Sequence, residues 1–210
     1  METPRLRGVL HLITAPIAVL GGLVLVVLGG TVTGRISLAV FTITSALLFS
    51  GSALYHRGRW SPRTKELLRR LDHSNIFLII AGTYTPLSLM LLSTEDARSL
   101  LGFVWVGALL GVAIHNFWAT APRYVYVPIY IALGWAAVAY LPQFAAASKL
   151  VLGFIIAGGV LYTLGALVYA FKWPRLSPTW FGFHELFHAF TVLAFAAHFT
   201  AISVTLAQMR

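Results

Sequence analysis

Seven apolar stretches of about 20 residues dominate this 210-residue chain and leave only short polar connections between them. They run over Val9–Leu28, Ile36–Tyr55, Asp72–Leu92, Leu100–Ala119, Tyr124–Leu141, Leu150–Phe171 and Trp180–Leu206. A helix of that length rises about 30 Å, the thickness of a bilayer's hydrocarbon core. None of the stretches sustains the apolar–polar alternation of a barrel strand, and each is too long to be one. The prediction is an all-α, seven-transmembrane helix bundle that forms a single domain over residues 1–210. Composition agrees: 59% of residues are apolar and 10% charged, against about 25% charged in a soluble domain. That excludes a disordered chain, a conventional soluble enzyme and a nucleic-acid-binding domain. With no cysteine, disulfides, iron–sulfur clusters and thiol catalysis are excluded too. The run from Gly8 to Gly30 is too long for a signal core and lacks a small-x-small cleavage site, so it is expected to persist as the first span.

Basic residues predict the orientation. Arg5, Arg7, Arg57, Arg59, Arg63, Lys65, Arg69, Arg70, Arg123, Lys172 and Arg175 fall on one side of a seven-span chain, and Arg35, Arg98, Lys149 and Arg210 on the other. Positive charge gathers on the cytoplasmic side. The N-terminus is therefore expected in the cytoplasm and the C-terminus outside, with the protein in the inner (plasma) membrane. The connection RGRWSPRTKELLRRL (57–71) reads as a short interfacial helix, with Ser61 as cap, Pro62 in the first turn and Leu67, Leu68 and Leu71 on one side. Its charge suits topology and contact with anionic lipid head groups, with a specific anionic substrate as the alternative.

Ionisable groups inside spans are expensive and so become candidates for function. His56 ends the second span, Asp72 begins the third, and His184 and His188 open the seventh. All four share one depth, the cytoplasmic third of the membrane, although they are scattered in sequence. In HELFH (184–188) the histidines stand at i and i+4, on one helix face, where both imidazoles can reach one cation. With His56 they would make three neutral nitrogen donors, the set that leaves a fourth position on zinc for water. Asp72 would hold that water or orient a ligand. Ser52, one turn before His56, would donate a hydrogen bond to a substrate carbonyl or developing oxyanion. The spacing leaves packing or interhelical hydrogen bonding open as the other reading, and that reading is applied to His11, His73, His115 and His198. HELFH also satisfies the H-E-x-x-H pattern of zinc proteases, with Glu185 as general base. However, no acidic third ligand follows His188.

The combination of SALYH (52–56), LDHSNIFLIIAGTYTP (71–86), GGVLYTLGALVYA (158–170) and HELFHAFTVLAFAAHF (184–199) resembles the bacterial hemolysin III family, a branch of the progestin and adipoQ receptor superfamily. The resemblance covers nearly the whole chain, in the same order. It implies a zinc ion held by His56, His184 and His188, with Asp72 close to the metal or its water and Ser52 beside them. Related receptors and alkaline ceramidases share this set, and hydrolysis of a lipid amide is the chemistry it suggests. The segment PRLRGVL before His11 departs from the acidic, Asn-containing lead-in of the family. The expected function is thus zinc-dependent hydrolysis of a membrane lipid amide or ester, or a role in membrane-lipid homeostasis. A non-catalytic sensor with a structural zinc and a pore-forming protein are the alternatives. Polar residues gathered at one end of the spans argue against a pore.

Overall fold

In a computed structural model, residues 4–118, 122–174, 176–177 and 179–209 are described. Of the described residues 86% are helical, and the sole β feature among them is an isolated bridge between Ser177 and Phe181. Among the described residues, seven helical segments are long and apolar enough to cross a membrane.

Side-chain oxygens cap four of the eight described α-helices. α1 (Val9–Leu28) follows Gly8, whose φ of 76° favours glycine. A side chain there would also collide with His56, because an added Cβ would stand 2.7 Å from the His56 Cβ. Thr31, Ser61, Ser93 and Ser148 accept from backbone N–H groups in the first turns of α2 (Val32–Arg57), α3 (Pro62–Leu91), α4 (Thr94–Phe117) and α7 (Lys149–Phe171). α3 differs from the sequence reading. The expected interfacial helix and the third span form one continuous helix, capped by Ser61 with Pro62 in its first turn. No Gly or Pro interrupts residues 63–81. Glu66 pairs with Arg69 at 2.8 Å and Arg70 at 3.0 Å, one turn on, which carries the helix through its polar stretch.

The fifth span departs further. It is broken into α5 (Arg123–Gly134), a 3₁₀ turn (Ala136–Tyr140) and α6 (Leu141–Ala147). Gly134 and Pro142 weaken the helix locally, but backbone groups freed inside a bilayer must find partners. Tyr84 of α3 supplies them: its hydroxyl donates to the Gly134 carbonyl at 2.7 Å and accepts from the Ala137 N–H at 3.0 Å. Tyr84→Phe strands both groups, at about 1–3 kcal/mol each. It is therefore expected to lower the thermal unfolding midpoint in detergent, whereas Tyr124→Phe, at a ring that is 80% exposed, leaves it unchanged.

α3 is the innermost span, with 67% of its apolar window buried against 28% for α4, the fifth span and α7. It packs on α2, α4, α5 and on α8 (Phe183–Gln208), while α8 lies between α7 and α1. Two glycines of α4 permit close approach: a Cβ at Gly111 would meet the Phe77 ring at 2.3 Å, and one at Gly107 would meet Leu133 at 2.6 Å. The outer faces carry exposed Ile17, Leu20, Val27, Phe103 and Leu109. Such a coat suits lipid and not water. Inside, most hydroxyls bond back to their own helix: Thr42 to Leu38, Ser45 to Phe41, Thr191 to Phe187 and Thr205 to Ala201.

Candidate metal centre

At one end of the bundle α2, α3 and α8 bring together the residues that sequence depth had grouped. The ligand-competent nitrogens of His56, His184 and His188 all lie within 4.8 Å of one another. His184 Nε2 stands 3.1 Å from His56 Nε2. Two donors bound tetrahedrally to one zinc at ~2.0–2.1 Å would stand about 3.3–3.4 Å apart, so the triangle fits such an ion with small adjustments. The donor set fits as well, being three imidazoles. Asp72 Oδ2 lies 3.7 Å from His56 Nε2, beyond direct hydrogen bonding but close enough to face a group held by the triangle. Ser52 is buried on the same face of α2; its Oγ lies beside the Asp72 carboxyl, short of hydrogen-bonding geometry, and is otherwise unpartnered. Ser45, on the same helix, instead donates to the Phe41 carbonyl.

His11, read from the sequence as a packing or hydrogen-bonding histidine, does pack, but against the triangle, a position the sequence reading did not give it. Its ring stacks on His188 at 3.8 Å between centroids and 13° between planes, with Phe49 edge-on at 5.1 Å. Both of its nitrogens are buried without a partner. The signal was present, because His11 sits near the start of the first span at the same depth as the other four. His73 does behave as a structural group, with Nδ1 donating to the Arg69 carbonyl at 2.8 Å and Nε2 meeting Tyr169 Oη at 3.1 Å. His198 lies away from the triangle and donates from Nε2 to the Ile155 carbonyl of α7 at 3.3 Å.

Glu185, the general base of the protease pattern, is turned elsewhere. One oxygen accepts from the Gly182 N–H at 2.8 Å and the other pairs with Arg7, with only 1% of the side chain exposed. It caps α8 and pins the segment before α1 to it. The backbone of that segment adds two bonds, Arg5 N–H to Thr179 O at 2.9 Å and Leu6 N–H to Trp180 O at 3.3 Å.

The triangle separates two cavities. His188, Ser52, Asp72 and His11 line an apolar chamber that runs between α3, α5, α7 and α8. His56 and His184 line an open vestibule on the polar side, and Tyr169 borders both. A model of the family described as haemolysin-III related matches residues 1–199. The chain belongs to that family. Similar haemolysin-III proteins include the Hemolysin-3 homolog of Bacillus subtilis (strain 168), 30% identical over 174 residues, which are 82% of this chain and 78% of the relative. The Hemolysin-3 of Bacillus cereus is 31% identical over 164 residues, 78% of this chain and 72% of the relative. Family membership and seven apolar helices together make this haemolysin-III protein a multi-pass membrane protein.

Proposed function

We propose that this protein is a zinc-dependent hydrolase of lipid amides or esters, oriented with its N-terminus in the cytoplasm and its metal centre at the cytoplasmic face of the inner (plasma) membrane. One observation carries the reading: the histidine triangle opens onto a chamber with an almost wholly apolar lining, yet polar atoms in its wall lack partners. Among the described residues, buried unpartnered polar atoms occur on six residues, and four of them, His11, Ser52, Tyr162 and His198, line the chamber, whereas Ser88 and His115 do not. Such groups are normally satisfied. A lipid whose acyl chain fills the chamber and whose carbonyl faces Ser52 would satisfy part of this set.

His56, His184 and His188 would hold the ion. Zinc, when bound, supplies Lewis acidity toward a carbonyl and lowers the pKa of water. Asp72 would take the proton of the attacking water and return it to the leaving nitrogen or oxygen. Ser52 would donate to the carbonyl oxygen as negative charge develops on it. Water's oxygen thus joins the acyl carbon as the C–N or C–O bond breaks, giving a fatty acid and an amine or alcohol. The chamber keeps the acyl chain out of water throughout.

Asp72→Asn tests the assignment. Loss of a general base costs about 10²–10⁴-fold in rate, so release of fatty acid from acylated lipids is expected to fall by at least ~100-fold with the zinc content unchanged. Cellular function that survives Asp72→Asn, but is lost with a destabilised fold in His56→Ala, would replace the hydrolase with a zinc-clamped membrane sensor.

A further inference from the structure

The polar vestibule is built from four separate parts of the chain. Arg5 comes from the segment before α1, Arg57 and Arg59 from the end of α2 and the turn after it, Lys65 from the first turn of α3, and Arg123 from the start of α5. Among the described residues none of these five pairs with a carboxylate, and no Asp or Glu lines the vestibule. Arg7 and Arg69 also border it, with Glu185 and Glu66 as their partners.

Retention of positive charge at a cytoplasmic face requires only that the cations lie in the connections. It does not require that they converge on one concavity, and Arg63 and Lys172 lie outside it. The site is also held in shape. Trp60 Nε1 donates to the Leu54 carbonyl at 2.9 Å and secures the turn that carries Arg57 and Arg59. The Arg123 guanidinium lies 4.2 Å over the Tyr169 ring and donates to the Tyr169 carbonyl at 2.9 Å. Cations on the walls of a cleft focus potential toward its floor, and here the floor holds His56 and His184.

We propose that the vestibule binds the headgroup phosphate of an acylated lipid, so that the substrate class is a phosphate-bearing acyl lipid and not a neutral one. This rests on the hydrolase reading for the fate of the lipid, although the binding step stands without it. Order along the molecule supports the assignment, since the basic vestibule, the histidine triangle and the apolar chamber follow one another. An amphiphile with a phosphate at one end and an acyl chain at the other would place its acyl linkage at the triangle. Arginine predominates among the lining cations, and its planar fork matches phosphate oxygens two at a time. A terminal phosphomonoester, with about −1.5 to −2 charge at neutral pH, matches five uncompensated cations better than a lone carboxylate does.

The test is a binding ratio measured on the full chain in nonionic detergent micelles doped with phosphatidic acid or with diacylglycerol of the same acyl chains. Wild type is expected to prefer phosphatidic acid by about 10-fold or more, and the preference is expected to shrink with added salt. Arg59→Ala/Lys65→Ala removes two cations that make no other described contact, and should cut the ratio by about 10-fold. The ratio corrects for any shared loss of folded protein. Equal binding of the two lipids, or a preference that the double variant leaves intact, would overturn the proposal. In a third arm inorganic phosphate is added: competition at high millimolar concentration fits a headgroup site. Tight phosphate binding with no lipid preference would instead assign the vestibule to free phosphate and overturn the lipid. The hydrolase reading fails separately. A phosphate preference with no release of fatty acid removes the chemistry and keeps the site, whereas release from diacylglycerol as fast as from phosphatidic acid does the reverse.

Discussion

Purified without chelators, the protein is expected to carry about one zinc ion per chain, and His184→Ala or His188→Ala to lower that to near zero. Removing either ring leaves two nitrogen donors, and Asp72 at 3.7 Å from His56 Nε2 is not placed to replace a lost imidazole without movement of α3. His198→Ala is the matched control. It also removes a buried histidine of α8, but one bonded to Ile155, so the metal should stay. Elemental analysis after size-exclusion chromatography reads the content. Cobalt(II) substitution reads the geometry, because a tetrahedral site gives intense visible bands that a solvent-exposed adventitious ion does not. A stable, well-folded wild type without metal would remove the basis of the hydrolase reading.

Arg7→Ala carries the other large effect, and it acts on the fold. Glu185 is almost wholly buried and its partner Arg7 is 21% exposed at the side chain. Breaking a buried pair by removing one member costs about 3–5 kcal/mol, because the remaining charge is stranded. Arg7 also belongs to the segment whose backbone bonds to Thr179 and Trp180, so its loss frees the approach to α1 and with it the position of His11 over His188. Thermal unfolding in detergent should show a large destabilisation for Arg7→Ala and a smaller one for Glu185→Gln, since Gln keeps an oxygen for the Gly182 N–H. If Glu185 were instead the general base of a protease, Glu185→Gln would leave stability intact and abolish turnover.

These two experiments fall on opposite sides of what the sequence made legible. The convergence of the three histidines could be read because membrane depth is a one-dimensional quantity: the position of a residue within its apolar run places His56, Asp72, His184 and His188 at one level. The i, i+4 spacing of HELFH then supplies a shared face. The same depth applied to His11, yet an isolated histidine carries no spacing partner, and its stacking on His188 depends on how α1 and α8 pack. The Arg7–Glu185 pair was hidden for a related reason. Arg7 reads as a topological charge and Glu185 as part of a protease pattern, and only the close approach of two chain segments 178 residues apart joins them.

The fold shows a parallel division. Apolar run length was enough for the number of crossings, because lipid thickness sets a length that water does not. The broken fifth span was not legible, although Gly134 and Pro142 are plain in the sequence, because glycine and proline occur in unbroken membrane helices as well. The break depends on the phenol that replaces the lost backbone bonds, and that phenol belongs to α3. Likewise the charges of residues 57–71 could be assigned to one face of the membrane from the sequence, whereas their convergence with Arg5 and Arg123 over the triangle depends on packing.

The Tyr84 bridge also bears on how the chamber wall is held in place. Ile131, Gly134 and Trp135 form part of the chamber wall, and the far side of this span is turned outward, with Val138 48% exposed. An uninterrupted helix opens only when several ladder bonds fail together. Here two of the bonds that hold the break belong to one phenol, beside the backbone bonds of Trp135 N–H to Ile131 O and Val138 N–H to Trp135 O. The wall at 134–137 therefore relies on a side chain of α3 for bonds that an uninterrupted helix makes for itself, and a change at Tyr84 is felt at the chamber wall.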